Sequence, residues 1–153
     1  MKPLYIFDLD GTLALIDHRR HFVERDRKHQ DWKAFYAACD EDRPNTPVIN
    51  TLNALRLIAE VWVFSGRSDE VREKTIEWLA AHTSFAPWDL ETALLMRRAG
   101  DYTPDDVLKR QWLHEMLPED RQRLVAVFDD RDKVVRMWRE EGVACFQVAP
   151  GEF

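Results

Sequence analysis

Short apolar runs alternate along the chain with longer amphipathic segments. Each apolar run has the length of a buried strand, and the runs cover residues 3–8, 61–64, 92–96, 124–128 and 143–146. The segments between them place apolar residues at helical spacing, and helix-start signals stand at Thr46, Ser68 and Thr103. Because the strands are apolar on both faces, the pattern predicts an α/β fold with helices on both sides of a mostly parallel central sheet.

Polar residues follow three of these predicted strands directly. Asp8 and Asp10 come after the first strand, Ser65 after the second, and Asp129 and Asp130 after the fourth. In parallel sheets of this kind, ligands bind beyond the carboxyl ends of the strands. The sequence therefore predicts that four acids and one hydroxyl converge at one edge of the sheet.

Composition and charge narrow the class of protein. The chain has 153 residues, 45% hydrophobic and 33% charged, as expected for one domain spanning 1–153. Its net charge of −6 argues against a large nucleic-acid groove, because binding to the phosphate backbone grows with the number of cations presented. No apolar run is long enough to span a membrane, and two cysteines without a disulfide framework predict a reduced, cytoplasmic protein.

The segment Asp8-Leu9-Asp10-Gly11 predicts a metal site. Side chains two residues apart in an extended backbone point to the same side, so the two carboxylates lie close together. They repel unless a proton or a cation separates them, and Mg²⁺ prefers such oxygen ligands together with a substrate phosphate. The alternative is a simple turn at the strand end, where Asp and Gly are common.

Three further segments carry candidate chemistry, and each has a plainer alternative. Ser65-Gly66 offers a hydroxyl and free N–H groups to a phosphate, or is only a strand-to-helix junction. Lys109 is suited to neutralise a phosphate, although most helical lysines are solvated. Asp129-Asp130 predicts metal ligands, since two adjacent acids at the end of an apolar strand are more than a helix cap requires.

In this order, the motifs resemble those of the haloacid dehalogenase superfamily. That pattern is Asp-x-Asp-Gly-Thr, a Ser or Thr after the second strand, a Lys, and paired acids after a later strand. The chain is also similar to the 3′-phosphatase domain of bacteriophage polynucleotide kinase/phosphatase, through residues 64–67, 96–97, 100–101, 105–109 and parts of 129–153. The resemblance implies a Rossmann-like, three-layer fold with a small helical cap inserted after the first strand, at about 14–46.

The resemblance also implies a role for each candidate residue. Asp8 is the expected nucleophile, and Asp10 the expected general acid and base. The implied Mg²⁺ ligands are Asp8, the backbone carbonyl of Asp10, Asp129 and Asp130. The residues expected to bind or position the phosphoryl group are Ser65, Gly66, Arg67, Arg97 and Lys109, and Thr12 is expected to position either Asp10 or a phosphate oxygen.

The function implied is a Mg²⁺-dependent phosphomonoesterase that acts through an aspartyl-phosphate. A carboxyl at position 10 favours a phosphatase over a dehalogenase, because a sugar alkoxide needs a proton to leave and a halide does not. Two substrate classes stay open: 3′-phosphate ends of nucleic acid or nucleotides, and free deoxynucleotides or another small phosphorylated metabolite. A non-catalytic binding module is disfavoured because both aspartates are present. No GxxxxGK[ST] motif occurs, so no 5′-phosphorylation is expected of this chain.

The segment at 14–46 matches the phage domain poorly and keeps its alternatives open. It predicts one or two short helices within 18–39. His18, Arg19, Arg20 and His21 either meet substrate phosphates or form a solvated helix face. Trp32, Phe35 and Tyr36 either stack on a base or, as the spacing favours, pack the small helix onto the domain. The other tryptophans are expected in the core: Trp62, Trp78, Trp88, Trp112 and Trp138.

Overall fold

The computed structural model describes residues 1–153 and contains two β-sheets. The seven strands are β1 Leu4–Phe7, β2 Ala14–Leu15, β3 Arg43–Pro44, β4 Glu60–Ser68, β5 Leu94–Arg97, β6 Leu124–Asp129 and β7 Cys145–Gln147. Five of them form one sheet in the order β5-β4-β1-β6-β7, and every neighbouring pair in it is parallel. The predicted α/β fold is confirmed, and all five predicted strands are present.

Helices cover both faces of this sheet. They are α1 Trp32–Ala37, α2 Thr46–Arg56, α3 Arg72–His82, α4 Pro87–Ala93, α5 Asp105–Glu115, α6 Pro118–Arg123 and α7 Asp132–Glu140. Successive side chains of a strand point to opposite faces. Phe7 accordingly joins the core cluster that includes Trp78 of α3, whereas Ile6 joins the cluster that includes Trp112 of α5 and Trp138 of α7. The sheet is thus the middle of three layers.

Two short helices and one aromatic residue depart from the sequence prediction. The helices α4 and α6 have seven and six residues, too few to show a helical period in the sequence. Trp88, expected in the core, is 76% exposed because it faces solvent from the first turn of α4. None of the helices combines the length and apolar character that a membrane span requires.

The strands β2 and β3 form a separate two-stranded antiparallel ribbon. Ala14 pairs with Pro44 and Leu15 with Arg43, so the ribbon joins the two ends of the segment 16–42. That segment contains α1 and two 3₁₀ turns, Arg20–Phe22 and Cys39–Glu41. It is an insert of small helical elements between β1 and α2.

Candidate active site

Three carboxylates and one lysine meet at the carboxyl end of the central strands. Asp8 follows β1, Asp129 ends β6, Asp130 comes next, and Lys109 extends from α5. All four residues are buried. The Lys109 Nζ lies 2.7 Å from Asp8 Oδ1 and 3.0 Å from Asp129 Oδ2. One oxygen from each of the three carboxylates lies within 4.8 Å of the others.

This cluster perturbs the protonation of its own members. Burial and then the charge of Asp129 raise the pKa of Asp8 well above its ordinary value. The same two causes raise the pKa of Asp130 to about 6. Burial works to lower the pKa of Lys109, but Asp129 and Asp8 outweigh it and raise the pKa well above the ordinary value. Lys109 is therefore a cation, and it balances only one of the three carboxylates.

The turn after β1 fits closely around Asp130. Gly11 has a φ of +83°, a left-handed conformation that side chains rarely adopt. A Cβ at this position would lie 2.0 Å from Asp130 Oδ2, so only glycine leaves room for that carboxylate. The next residue, Thr12, donates a hydrogen bond of 2.9 Å to Asp8 Oδ2. Gly11 and Thr12 thus position the carboxylates of Asp130 and Asp8, respectively.

The cluster suits a small divalent cation. Its donors are all carboxylate oxygens, the set that Mg²⁺ prefers, and they lie within the reach of one ion. Excess negative charge in a buried site is costly unless it is neutralised. Asp8, Asp129 and Asp130 are the residues that could hold such a cation.

Asp10 lies apart from these three and is bound by two buried arginines. Its Oδ1 accepts hydrogen bonds from Arg67 at 2.5 Å and from Arg19 at 2.8 Å. Burial alone would raise the pKa of Asp10, but the charges of Arg67 and Arg19 outweigh it and lower the pKa to about 2. Asp10 is therefore ionised at neutral pH in this arrangement.

The two arginines are held in turn by Asp42, a buried carboxylate of the insert. Asp42 accepts hydrogen bonds from Arg19 Nε and Nη2, both at 2.7 Å, and from Arg67 Nη2 at 3.2 Å. His18 Nε2 lies 2.7 Å from the same carboxylate. No pattern in the sequence marks Asp42 as a site residue. Arg19 is buried, so it is not part of a solvated face, and its guanidinium is bound to Asp42 and Asp10 rather than free for phosphate. No local pattern separates Arg19 from the more exposed Arg20.

Ser65, Gly66 and Arg67 lie within β4 rather than after it. The predicted strand ends at residue 64, but β4 continues to Ser68 across an irregularity in its pairing with β5. Such irregularities are common beside active sites, where they redirect side chains. Ser65 Oγ is buried and accepts a hydrogen bond from the Arg67 backbone. The Nε of Arg67 is buried without a hydrogen-bond partner.

Arg97, at the end of β5, braces the loop that leads into α5. Its guanidinium donates to the carbonyl oxygens of Gly66, Asp101 and Thr103, at 2.7, 3.1 and 2.5 Å. These bonds use Nε and Nη1, so Nη2, which lies 3.4 Å from Asp105 Oδ1, is the group of Arg97 left for the predicted contact with phosphate. Asp105, the first residue of α5, lies 3.4 Å from Arg97 and 3.8 Å from Lys109.

Comparison with known proteins identifies the family. Residues 2–153 match the family described as the polynucleotide kinase PNKP phosphatase domain. The chain belongs to this family. It is a phosphatase with the haloacid dehalogenase fold, as the sequence motifs implied. A haloacid dehalogenase-like hydrolase of Streptococcus pneumoniae shares that fold, with a TM-score of 0.56 at 14% identity over 95% of this chain and 84% of the other.

Two relatives of this phosphatase domain belong to larger proteins. A protein of Autographa californica nuclear polyhedrosis virus, whose name combines polynucleotide kinase and RNA ligase, is 30% identical over 138 residues. A chain of the Pnkp1/Rnl/Hen1 RNA repair complex is 33% identical, with a TM-score of 0.76 over 99% of this chain. The match covers 87% of this phosphatase chain and 17% of the viral protein, and 44% of the repair-complex chain. The chain thus spans less than half the length of either relative.

A further fold relative is an enzyme of different size. The class C acid phosphatase of Bacillus anthracis superposes with a TM-score of 0.63 at 15% identity, over 99% of this chain and 67% of that enzyme. At this level of identity the likeness concerns the fold alone.

Proposed function

We propose that this phosphatase removes the 3′-phosphate from nucleic-acid ends, in a Mg²⁺-dependent reaction that passes through an aspartyl-phosphate. The observation that carries the proposal is the buried cluster in which Asp8 lies 2.7 Å from Lys109 and close to Asp129 and Asp130. A carboxylate held beside a lysine at the end of a central strand is well placed to act as a nucleophile. Membership of the polynucleotide kinase phosphatase domain family supports the nucleic-acid substrate.

The reaction has two steps, both centred on Asp8. An oxygen of Asp8 attacks phosphorus, and the bond from phosphorus to the 3′-oxygen of the sugar breaks as the aspartyl-phosphate forms. Water then attacks that phosphorus, the bond to Asp8 breaks, and inorganic phosphate leaves. Lys109 offsets negative charge on Asp8 and on the phosphoryl oxygens in both steps. Ser65 and the N–H groups near Gly66 supply further donors to those oxygens.

Asp10 has the complementary role of moving the proton. It donates a proton to the departing 3′-oxygen in the first step and takes one from the attacking water in the second. A pKa of about 2 keeps Asp10 ionised, so it must be released from its arginines and take up a proton from solvent before it can donate one. An incoming phosphate is an anion that competes for Arg67, whose Nε is buried without a partner. We infer that Arg67 shifts from Asp10 towards the substrate.

The metal ligands proposed are Asp8, Asp129, Asp130 and the backbone carbonyl of Asp10. Mg²⁺ bound there would neutralise negative charge on the phosphoryl group during transfer. Without a cation, the three buried carboxylates outnumber Lys109 and would repel an approaching phosphate.

A panel of phosphorylated substrates tests the proposed function. Phosphate release is measured from a 3′-phosphorylated oligonucleotide, the matching 5′-phosphorylated oligonucleotide, mononucleotides and a sugar phosphate, each with Mg²⁺ and with excess chelator. We expect the 3′-phosphorylated oligonucleotide to have the highest kcat/KM and the chelator to abolish its hydrolysis. Faster hydrolysis of mononucleotides or of the sugar phosphate would overturn the substrate assignment.

The substitution Asp8→Asn tests the nucleophile separately. We expect it to remove phosphate release from every substrate, together with the acid-stable phosphorylated protein that rapid quenching traps. Asp17→Asn is the matched control, because Asp17 is an exposed aspartate of the same chain. Activity that survives Asp8→Asn would exclude an aspartyl-phosphate at this residue.

A further inference from the structure

The three aromatic side chains of α1 differ in how far they are exposed. Phe35 is buried, and the Arg19 guanidinium lies 4.3 Å from its ring centre. Trp32 is 45% exposed, and Tyr36 is half-buried one turn later. Their rings are 5.9 Å apart, as expected for residues four apart on one helix face. Trp32 and Tyr36 also contact the Phe35 ring edge-on, each at 5.5 Å between ring centres, but packing leaves much of the Trp32 surface open to solvent.

The helix α1 borders the proposed active site. Arg19 donates one hydrogen bond of 3.2 Å to the carbonyl oxygen of Phe35 in α1 and another of 2.8 Å to Asp10 Oδ1. One guanidinium therefore joins α1 to the residue that is proposed to move the proton. Burial also raises the pKa of the Tyr36 hydroxyl to about 12, in keeping with a side chain partly covered by the domain. Trp32, one turn away on the same helix face, is left open to solvent.

We propose that Trp32 and Tyr36 form a subsite for the terminal nucleoside of a nucleic-acid strand. Trp32 stacks on the base, and Tyr36 contacts the sugar that carries the 3′-phosphate. Sites for single strands combine exposed aromatic rings with cations that meet the backbone phosphates. Next to Trp32 the insert exposes Lys33, and it also exposes Arg25, Arg27 and Lys28. The inference rests on the proposed function, because it names the group from which the phosphate is removed.

The test removes the ring and the base separately and then together. Trp32→Ala is assayed on a 3′-phosphorylated oligonucleotide and on the same oligonucleotide with an abasic terminal residue. Stacking of one base on one ring predicts that Trp32→Ala lowers kcat/KM about tenfold on the first substrate. It also predicts that the loss on the abasic substrate is several-fold smaller, because the two deletions remove the same contact. Trp32→Phe should recover most of the loss.

Two comparisons keep the outcome clear. Trp88→Ala removes another exposed tryptophan, on α4, and is expected to behave like the unaltered protein. Equal losses for Trp32→Ala on the complete and the abasic substrate would overturn the subsite. If the unaltered protein hydrolyses a small acyl phosphate but neither oligonucleotide, the proposed substrate fails instead.

Tyr36→Ala, compared with Tyr36→Phe, should raise KM for both oligonucleotides, and an unchanged KM would remove Tyr36 from the subsite.

Discussion

Mg²⁺ is expected to stabilise this phosphatase more at pH 8 than at pH 5, because it competes with protons for buried carboxylates, of which Asp130 is one. Burial and then the charge of Asp129 raise the pKa of Asp130 from 3.8 to about 6. Between these values the folded protein holds a proton on Asp130 that the unfolded chain has lost. Without metal, the free energy of unfolding therefore falls as pH rises from about 4 to 6, by roughly 3 kcal/mol for a shift of about two units. Asp8 and Asp129, also raised, act in the same direction.

A metal ion must displace that proton at low pH. At pH 5 about one Asp130 carboxyl in ten is ionised, so the apparent affinity for Mg²⁺ is about tenfold weaker than at pH 8, or ~1.4 kcal/mol. Mg²⁺ at 100 times its Kd adds ~2.7 kcal/mol to the free energy of unfolding. For a chain of this length that corresponds to a rise in Tm of about 5–10 °C at pH 8, and about half of that at pH 5.

Thermal unfolding followed by circular dichroism, at both pH values and over a range of Mg²⁺ concentrations, measures these shifts. Asp130→Asn should remove most of the Mg²⁺-dependent shift and should raise the Tm at pH 8 without metal, because it deletes a buried charge that repels its neighbours. Asp132→Asn, two residues away and outside the cluster, should keep the full shift. The reasoning fails if Mg²⁺ raises the Tm equally at pH 5 and pH 8, or if Asp130→Asn responds like the unaltered protein.

Three further substitutions test the surroundings of the cluster. Asp10→Asn should lower kcat on alkyl phosphates far more than on an aryl phosphate, whose leaving group needs little protonation; equal losses would remove the acid role. Asp42→Ala leaves two buried arginines without one of their partners, so it should lower the free energy of unfolding in urea by about 3–5 kcal/mol. The control Asp40→Ala removes an exposed ion pair with Lys74 and should lower that free energy by less than about 1 kcal/mol. Gly11→Ala should lower the free energy of unfolding by about 1–2 kcal/mol, because the backbone at this position is left-handed. It should also weaken Mg²⁺ binding, because the added Cβ meets Asp130. At Gly142, with a φ of +79°, an added Cβ would have no atom within 4 Å. Gly142→Ala should therefore lower the free energy of unfolding through the backbone alone.

The sheet was predictable because its strands are short apolar runs buried on both faces, and the placement of the acids follows from that. Once β1 and β6 are adjacent and parallel, residues just after them must lie near each other, as Asp8 and Asp130 do. Lys109 could be added only through the resemblance, since a helical lysine has no pattern that marks it as buried. The helices α4 and α6 were missed because they are too short to show a period.

The surroundings of Asp10 could not be derived from the sequence. Arg19 and Asp42 lie 23 residues apart within the insert and are brought together by its tertiary folding. Arg67 reaches the carboxylate of Asp42 from β4, which belongs to the central sheet and not to the insert. Such a network depends on three-dimensional packing of polar groups, whereas sequence patterns report mainly on the burial of apolar ones.

The central position of β1 has a consequence for how the enzyme is made. Leu4 pairs with Glu60 on one side and with Leu124 on the other, so β1 completes its pairing only after β6 has been synthesised. Contacts between such distant residues form slowly, because long loops must close before any of the pairing is gained. Until then β1 has an unpaired edge of backbone N–H and C=O groups and uncovered apolar faces, on which nascent chains can associate. We therefore expect this topology to affect the yield of folding during synthesis.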